Sequence, residues 1–173
     1  MVPSYPMTFE IRPATADDAE TLVRLIRELA AYEQLEHEAR ATPEAIRQHL
    51  FGPRVCAEAL IAEQGGEPIG FALFFQNFST FRCQPGLYLE DIYVQPEHRG
   101  RGLGKAMFQR LAALAMERGC GRLEWTVLNW NELAIGFYRG LGAMPLDGWT
   151  LQRLDGESLT RLAGSNPGPS PGV

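Results

Sequence analysis

The segment from Leu87 to Gly119 constrains the fold more than any other part of this sequence. An apolar stretch of strand type ends at Val94, and Pro96 prevents its continuation because proline cannot donate to a sheet ladder. A glycine-rich turn follows, and apolar residues then recur at helical spacing from Leu103 onward. A strand connected by such a turn to an amphipathic helix is typical of an α/β fold that binds a ligand at the turn.

The turn itself has the composition of an anion site. Glycines let successive backbone amides approach an anion closely, and a helix N-terminus contributes about half a positive charge. Arginine and lysine side chains add full charges, so the turn suits a pyrophosphate. We expect its histidine to be solvated, and a glycine-rich loop with solvated arginines is the alternative. The sequence reads Gln95-Pro96-Glu97-His98-Arg99-Gly100-Arg101-Gly102-Leu103-Gly104-Lys105.

Two common phosphate-binding motifs do not fit this turn. A Walker loop requires a serine or threonine after its lysine, whereas Lys105 is followed by Ala106. The dinucleotide fingerprint requires G-x-G-x-x-G, whereas the glycines here are Gly100, Gly102 and Gly104. A nucleotide-binding regulatory domain is therefore disfavoured.

Hydrophobic periodicity predicts the remaining elements. Early hairpin signals followed by strand–helix–strand units indicate a mixed α/β sheet with helices on both faces. Thr15 begins the first helix with a capping-box pattern, Thr42-Pro43 begins the second, and Gly65-Gly66 joins two strands. Strands are predicted at 9–12, 57–64, 69–78, 87–94, 123–128, 143–146 and 149–155, and helices at 19–30, from 43, at 103–119 and at 133–141.

A single domain accounts for the length of 173 residues. We place this domain at residues 8–163, after a loose lead-in at 1–7. Residues 164–173 contain three glycines, three prolines and two serines. Such a composition cannot bury enough apolar surface to offset the entropy of ordering, so we predict a disordered tail.

Composition and charge exclude several classes of protein. The net charge is −5, so a basic footprint for nucleic acid is absent. The longest apolar run, Ile69 to Phe75, is far shorter than the about 20 residues of a membrane helix, and Met1 to Phe9 lacks signal-peptide features. The scattered cysteines Cys56, Cys83 and Cys120 indicate reduced thiols, and no histidine has metal-ligand spacing with them. We therefore expect a cytoplasmic protein without a metal, membrane or nucleic-acid partner.

The charges are divided between two parts of the chain. Residues 1–80 carry six basic and twelve acidic side chains, whereas residues 95–122 carry six basic and two acidic ones. The basic block contains the glycine-rich turn, so it suits an anionic ligand. The acidic half contains Tyr32 and five glutamates between Glu28 and Glu44, which suits a di- or polycation. A solvated loop would have the same composition.

Two motifs resemble the signatures of the GCN5-related N-acetyltransferase (GNAT) family. The first is R-x-x-G-x-G, which holds the acyl-CoA pyrophosphate, and the second is N-x-x-A-x-x-F-Y-x-x-x-G. One predicted helix and one predicted strand separate them, as that fold requires. The motifs are matched by Arg99, Gly102 and Gly104, and by Asn131, Ala134, Phe137, Tyr138 and Gly142.

Further segments resemble the diamine (spermidine/spermine) acetyltransferase branch of that family, which also contains thialysine acetyltransferases. They include Ile11–Thr15, Tyr88–Val94 and Trp130–Glu132. The resemblance implies an acetyl-CoA-dependent N-acetyltransferase that acts on a primary amine of a small cationic substrate, by direct attack in a ternary complex. It also implies a mostly antiparallel central sheet with a splayed parallel pair, and a homodimer.

The resemblance assigns the acetyl-CoA site residue by residue. Backbone groups of Ile92, Tyr93 and Val94 would pair with the pantetheine arm, and Asn131, Ala134 and Tyr138 would lie beside the cofactor. The pyrophosphate would be held by Arg99, Gly100, Arg101, Gly102, Leu103, Gly104 and Lys105.

Proton transfer is expected to depend on two residues. Tyr138 matches the acid of the family, because a phenol with an ordinary pKa near 10 is suited to protonating a thiolate. Packing within a short helix is the alternative for this tyrosine. Glu90 is expected near the amine as a base that acts through water. Strand alternation predicts that the Glu90 and Asp91 side chains point to opposite faces of the sheet. The alternative to a substrate role for Asp91 is capping or pairing with an arginine. The implied substrate residues are Tyr32, Glu33, Glu90, Asp91, Glu124, Trp125 and Thr126, with core packing the alternative for Trp125.

Other functions stay open at this point. A non-catalytic sensor of acyl-CoA would need only the phosphate turn, whereas an enzyme needs the tyrosine and the carboxylates as well. Within the family, a protein N-terminus or an antibiotic amine is an alternative substrate. The connection from Ser79 to Gly86 departs from the branch, and we expect it to border the acceptor pocket.

Overall fold

Five strands form a single sheet, and the computed structural model describes residues 8–164 of the chain. In chain order the strands are β1 (Phe9–Pro13), β2 (Glu58–Gln64), β3 (Glu67–Ser79), β4 (Gln84–Val94) and β5 (Leu123–Trp125). Each strand lies beside the next one in sequence. The first three pairings are antiparallel, whereas β5 runs parallel to β4. The predicted mixed sheet with one parallel pair is therefore confirmed.

Five α-helices accompany the sheet within the described residues. They are α1 (Ala19–Tyr32), α2 (Pro43–Leu50), α3 (Leu103–Glu117), α4 (Glu132–Gly140) and α5 (Gly156–Gly164). The chain divides into two units, the first ending at Asn131 and the second beginning at Glu132. The first unit therefore contains the whole sheet and α1 to α3, and the second contains α4 and α5.

The start of α1 is held by a network of charges. The Asp18 carboxylate accepts hydrogen bonds from the Thr15 backbone N–H and hydroxyl, which confirms the predicted capping box. Arg12 of β1 donates to the same carboxylate over 2.7 and 2.8 Å and also pairs with Glu63 of β2. The hydrogen bonds from Arg12 hold the pKa of Asp18 at about 2, below its ordinary 3.8. The network thus joins the first helix to the edge of the sheet.

Replacing this carboxylate should destabilise the fold. We expect Asp18→Asn to lower the free energy of unfolding by about 2 kcal/mol, because it weakens the capping hydrogen bonds and removes one of the two charge partners of Arg12. Urea denaturation measures the loss. Because the pKa of Asp18 is depressed, its contribution is present above pH 4 and is lost as pH falls towards 2. Asp17→Asn, at the exposed neighbouring position, is the matched control, and an equal loss in both variants would contradict the role of the network.

Two other local predictions are confirmed. The Thr42 hydroxyl accepts a hydrogen bond from the Ala45 amide, and proline occupies the first turn of α2. Gly65 and Gly66 join β2 to β3 with φ angles of 60° and 84°, in the left-handed region where glycine is least strained. The hairpin therefore forms where the sequence places it.

Helices cover both faces of the sheet in the first unit. α1 and α2 pack on one face, here called the α1 face, and α3 packs on the other, here called the α3 face. On the α3 face the rings of Phe108 and Trp125 meet edge-on, with centroids 4.9 Å apart. Burial of a large apolar side chain contributes about 1.5–3 kcal/mol, so these two layers anchor the strands on which the site is built. The cluster on the α1 face includes Leu22, Leu25, Leu29, Ile46, Ile61, Phe71 and Tyr93.

The end of the chain differs from the prediction. Residues 143–155 form no strand in the structure, and β5 ends at Trp125 rather than at residue 128. Pro145 lies within the first expected segment and Gly148 directly precedes the second, and neither residue favours a strand. Helix α5 is not among the predicted elements, although Leu159 and Leu162 have helical spacing. Gly164, the first residue of the predicted tail, ends α5, while 165–173 and the predicted lead-in at 1–7 lie outside the described residues.

The segment from 79 to 86 is also more regular than expected. β3 continues to Ser79 and β4 begins at Gln84, so the expected connection is a short hairpin turn. Cys83 adopts a φ of 48° within this turn. Ser79 is buried, and its hydroxyl accepts a hydrogen bond from the Arg82 amide. The departure from the branch is thus confined to the tip of a hairpin.

The described residues contain no helix long and apolar enough to cross a membrane. Across 8–164, no group of three or more histidine, cysteine or acidic side chains is arranged to hold a metal ion. All three cysteines are free thiols.

Candidate active site

The parallel strands β4 and β5 separate at one edge of the sheet, where β5 is the last strand. β5 pairs with β4 only along Leu87–Leu89 of β4, so the segment Glu90–Val94 has no strand beside it on that edge among the described residues. Backbone groups on such an edge can pair with an extended ligand. This segment contains Ile92, Tyr93 and Val94, the residues expected to bind the pantetheine arm. Their geometry fits an extended amide chain.

The glycine-rich turn leads directly from β4 into α3. Gly100 and Gly102 have φ angles of 72° and 87°, and Gly102 is the residue that precedes the helix. The first backbone hydrogen bond of the helix runs from the Ala106 amide to the Gly102 carbonyl. The preceding amides of the first turn therefore have no partner inside the helix and are available to an anion. These amides belong to Leu103, Gly104 and Lys105.

Side chains of the turn divide into exposed and internal ones. Arg101 and Lys105 are exposed, so their charges can approach a phosphate. Leu103 is buried in the core, so only its backbone can serve a ligand. His98 is half-buried and its Nδ1 atom has no hydrogen-bond partner in residues 8–164, so the expectation of a solvated histidine is wrong for this atom. The composition of the turn fits a pyrophosphate.

Arg99 has a more internal environment than the motif suggests. Its Nε donates to the Val94 carbonyl over 2.7 Å. The guanidinium carbon lies 4.5 Å from the ring centroid of Tyr32 and 5.6 Å from that of Tyr93. Such cation–π contacts contribute about 0.5–2 kcal/mol each. Arg99 therefore joins the phosphate turn to the C-terminal end of α1.

The two adjacent acidic residues of β4 lie at a β-bulge. Leu73 pairs with Asp91 and Phe74 pairs with Leu89, which leaves Glu90 as the extra residue. A bulge interrupts side-chain alternation and redirects neighbouring side chains, so alternation alone does not fix the faces of Glu90 and Asp91 at this point. Glu90 is exposed, whereas Asp91 is half-buried as a residue and its carboxyl group is desolvated.

Asp91 is the most perturbed carboxyl group of the candidate site. Burial raises its pKa to about 6, and repulsion from Glu90 and Glu33 adds to this effect. None of the described residues forms a salt bridge with Asp91, so the alternative that it pairs with an arginine is wrong. A buried carboxylate beside two other acidic groups is a site that a cation would stabilise.

The C-terminal end of α1 supplies the neighbours of Asp91. Glu33 follows the last residue of the helix, and burial raises its pKa as well. The Tyr32 ring lies 6.3 Å from the ring of Trp130, measured between centroids. The structure thus brings together the predicted residues Tyr32, Glu33 and Asp91, and adds Trp130, which the sequence analysis quoted only as part of a motif.

The predicted substrate residues at the end of β5 divide between the two faces of the sheet. Glu124 pairs with Tyr88, whose ring contacts Phe75 on the α1 face. Trp125 packs against Phe108 on the α3 face, in agreement with the core-packing alternative. Thr126 is exposed beyond the end of β5.

The second motif begins in the first unit and continues in the second. Asn131 is buried, and its backbone N–H donates a hydrogen bond to the Leu128 carbonyl. Ala134 and Tyr138 lie four residues apart on α4, which places them on one face of that helix. Both are half-buried, and the Tyr138 ring contacts Phe137 with centroids 5.6 Å apart.

Comparison with known proteins agrees with this geometry. The profile of the Acetyltransferase (GNAT) family matches residues 22–143. A thialysine N-epsilon-acetyltransferase of Bos taurus is 39% identical over 165 residues, covering 89% of this chain and 96% of that protein. An L-ornithine N5-acetyltransferase of Arabidopsis thaliana is 29% identical over 203 residues, covering 91% and 89%. The solved structure of an integron cassette protein from V. cholerae superposes with a TM-score of 0.79 at 26% identity, covering 92% and 99%.

The family match spans well over half of the chain and includes the separated strands, the phosphate turn and the second motif. GNAT enzymes use acetyl-CoA as their co-substrate. The chain belongs to the GNAT family and is an acetyltransferase that transfers an acetyl group to an amine.

Proposed function

We propose that the chain acetylates a primary amine of a small cationic substrate, either a di- or polyamine or a lysine-like amino acid. The observation that carries this proposal is the buried, unpaired Asp91 carboxyl group beside Glu33 and Glu90. Such a group attracts an ammonium ion. It lies on the segment Glu90–Val94 of β4, which does not pair with β5.

The chemistry explains why carboxylates are useful here. An alkylamine has an ordinary pKa of about 10.4, so its nucleophilic form costs about 4–5 kcal/mol at pH 7. A carboxylate with a pKa near 6 accepts a proton more readily than an ordinary one. Asp91, or Glu90 through water as the resemblance implies, would remove this proton.

Direct transfer requires the two substrates to be bound together. The amine nitrogen attacks the thioester carbonyl of acetyl-CoA, the C–N bond forms, and the C–S bond breaks. The departing thiolate takes a proton, and Tyr138 is the donor that the second motif implies. The edge of β4 would hold the pantetheine arm, and the amides at the start of α3 would hold the pyrophosphate.

Relatives support the class of substrate. The proteins of Bos taurus and Arabidopsis thaliana are named for thialysine and L-ornithine, which are both amino acids with a side-chain amine. A spermidine/spermine N(1)-acetyltransferase-like protein 1 of Homo sapiens is 33% identical over 165 residues, covering 90% of this chain and 24% of that protein. Both a basic amino acid and a polyamine therefore belong in the test.

Release of free thiol from acetyl-CoA tests the proposal. We expect amine-dependent release with lysine, thialysine, ornithine or spermidine, and none without an amine. Peptide N-termini and aminoglycosides are the comparison substrates. Binding of acetyl-CoA without amine-dependent release would identify a sensor instead, and release only with a peptide or an aminoglycoside would overturn the small cationic substrate.

We also propose a homodimer. In the second unit, the apolar side chains of Met144, Trp149 and Leu151 are exposed, and contact with a second copy would bury such groups. In the branch, the protomers contact each other through late strands, whereas residues 143–155 of this chain form no strand. The proposed contact therefore uses the exposed apolar side chains instead. Light scattering tests the dimer and should give twice the mass of the chain.

A cytoplasmic location is proposed from the cysteines. All three are free thiols, and two of them are exposed. Reduced, unpaired cysteines are typical of cytosolic proteins.

A further inference from the structure

A second polar cluster lies on the α1 face, where β3, β4 and β5 run side by side. It consists of Asn77, Arg122 and Glu124. Asn77 Nδ2 donates to Glu124 Oε2 over 3.2 Å, and Arg122 Nε lies 2.8 Å from the same oxygen. The charged side chains are 31% and 28% exposed, so a ligand can reach them.

The sheet is shaped to accommodate this cluster. Gly86 of β4 pairs with Asn77 of β3. A Cβ atom at Gly86 would collide with Asn77 Oδ1 and would lie 3.0 Å from both Cγ and Nε of Arg122. Any other residue at position 86 would therefore displace the arginine or the asparagine.

The cluster has unused hydrogen-bonding capacity. Asn77 Oδ1 and Arg122 Nε are buried and have no hydrogen-bond partner within residues 8–164. Arg122 and Glu124 form an ion pair. The geometry at Nε does not meet the requirements of a hydrogen bond, although the two atoms are close. The second oxygen of Glu124 and the terminal nitrogens of Arg122 also make no hydrogen bond within those residues. Apart from their own ion pair, the terminal nitrogens of Arg122 and the second oxygen of Glu124 are thus available to a ligand.

That pairing of groups is complementary to a free amino acid. A guanidinium binds a carboxylate through two parallel hydrogen bonds, and a carboxylate binds an ammonium ion. The α-carboxylate and α-ammonium of an amino acid are attached to one carbon, so they fit two opposite charges held side by side. A diamine or polyamine has no carboxylate for the arginine.

The distance to Asp91 suits the length of a basic amino acid. Tyr88 pairs with Glu124 and precedes Asp91 by three residues. With a rise of about 3.3 Å per residue and strands about 4.8 Å apart, the Cα atoms of Asp91 and Glu124 lie about 11 Å apart. Six bonds, or about 7–8 Å, separate the side-chain nitrogen of lysine from its carboxylate carbon. The side chains of the protein span the remaining distance.

We propose that Arg122 and Glu124, oriented by Asn77, form a subsite for the α-carboxylate and α-ammonium of an amino acid whose side-chain amine is acetylated beside Asp91. The inference rests on the proposed function and narrows it from small cationic amines to free basic amino acids.

Matched substrates and variants test the subsite. Thiol release is measured with lysine, with lysinamide, which lacks the carboxylate, and with cadaverine, which lacks the whole carboxyl group. We expect kcat/KM of the unmodified chain to favour lysine by about 10- to 100-fold. Arg122→Gln should remove this preference while leaving cadaverine within about twofold, and Arg122→Lys should keep part of it. Arg110→Gln is the control, because it breaks a surface ion pair with Glu117 on α3. It should leave kcat/KM for all three substrates unchanged.

The outcomes separate the two proposals. If no amine is acetylated, the proposed function fails. If the unmodified chain uses lysinamide or cadaverine as well as lysine, the subsite is overturned while the function stands, and this comparison does not depend on any variant folding. An equal loss for lysine and cadaverine in Arg122→Gln would also overturn it.

Discussion

Asp91→Asn should lower kcat/KM for the amine substrate by about 30- to 1,000-fold. The carboxylate is buried and has no cation partner among residues 8–164, so a bound ammonium ion would be its main source of stabilisation. Removing one member of such a buried pair costs about 2–4 kcal/mol, which gives this range. Steady-state rates at varied amine concentration measure the loss. The affinity for acetyl-CoA should not change.

The same substitution should make the folded protein more stable at neutral pH. Because the pKa of Asp91 is raised from 3.8 to about 6, the folded state holds a proton that the unfolded chain releases between these values. The stability of the unmodified chain therefore falls as pH rises through this window. Asp91→Asn should remove this pH dependence of stability. It should raise the free energy of unfolding by up to about 3 kcal/mol above pH 6 and should not raise it below pH 4. Urea denaturation at several pH values measures the difference.

Two further variants complete this test. Glu67→Gln, on an exposed strand position, is the control for removing a carboxylate and should alter neither property. Glu90→Gln should lose less activity than Asp91→Asn, because Glu90 is exposed. In the unmodified chain kcat/KM should rise with pH through about 6, and this limb should vanish in Asp91→Asn. A greater loss in Glu90→Gln would assign the base to Glu90 rather than to Asp91.

Tyr138→Phe should lower turnover by about tenfold or more, with little change in the affinity for acetyl-CoA. The substitution retains the ring, which contacts Phe137 on α4, and removes only the hydroxyl. A missing proton donor slows departure of the thiolate but does not weaken cofactor binding. Single-turnover rates and a separate titration of acetyl-CoA distinguish these effects.

A conservative control separates acid catalysis from packing. Phe137→Leu changes the neighbouring ring and leaves the hydroxyl in place. If Phe137→Leu slowed turnover as much as Tyr138→Phe, packing of α4 would explain both losses. Unchanged turnover in Tyr138→Phe would remove this residue from the mechanism.

Local sequence patterns predicted most of the elements that position the site. The capping pattern at Thr15, the proline at position 43 and the Gly65-Gly66 turn each depend on a few neighbouring residues, and the structure confirms all three. The glycines before α3 are likewise local, because Gly102 adopts a φ of 87° that few other residues tolerate. The strands predicted at 143–155 failed because strand formation depends on a partner, which a local pattern does not specify.

Other features of the site depend on groups far apart in the sequence. The position of Arg99 against Tyr32, the bulge at Glu90 and the cluster around Gly86 each require a contact between separate elements. Strand alternation alone predicted opposite faces for Glu90 and Asp91, and the bulge can be read only from the pairing of β3 with β4.

The two motifs of the sequence predicted the family, and its uneven charge indicated an anionic cofactor and a cationic acceptor. Only the tertiary structure decided which carboxyl group has the perturbed pKa. Asp91 and Glu33 are 58 positions apart in the chain, and burial raises both their pKa values once the sheet packs beneath α1. Motifs record which residues bind common groups, whereas desolvation arises from the whole fold around a side chain.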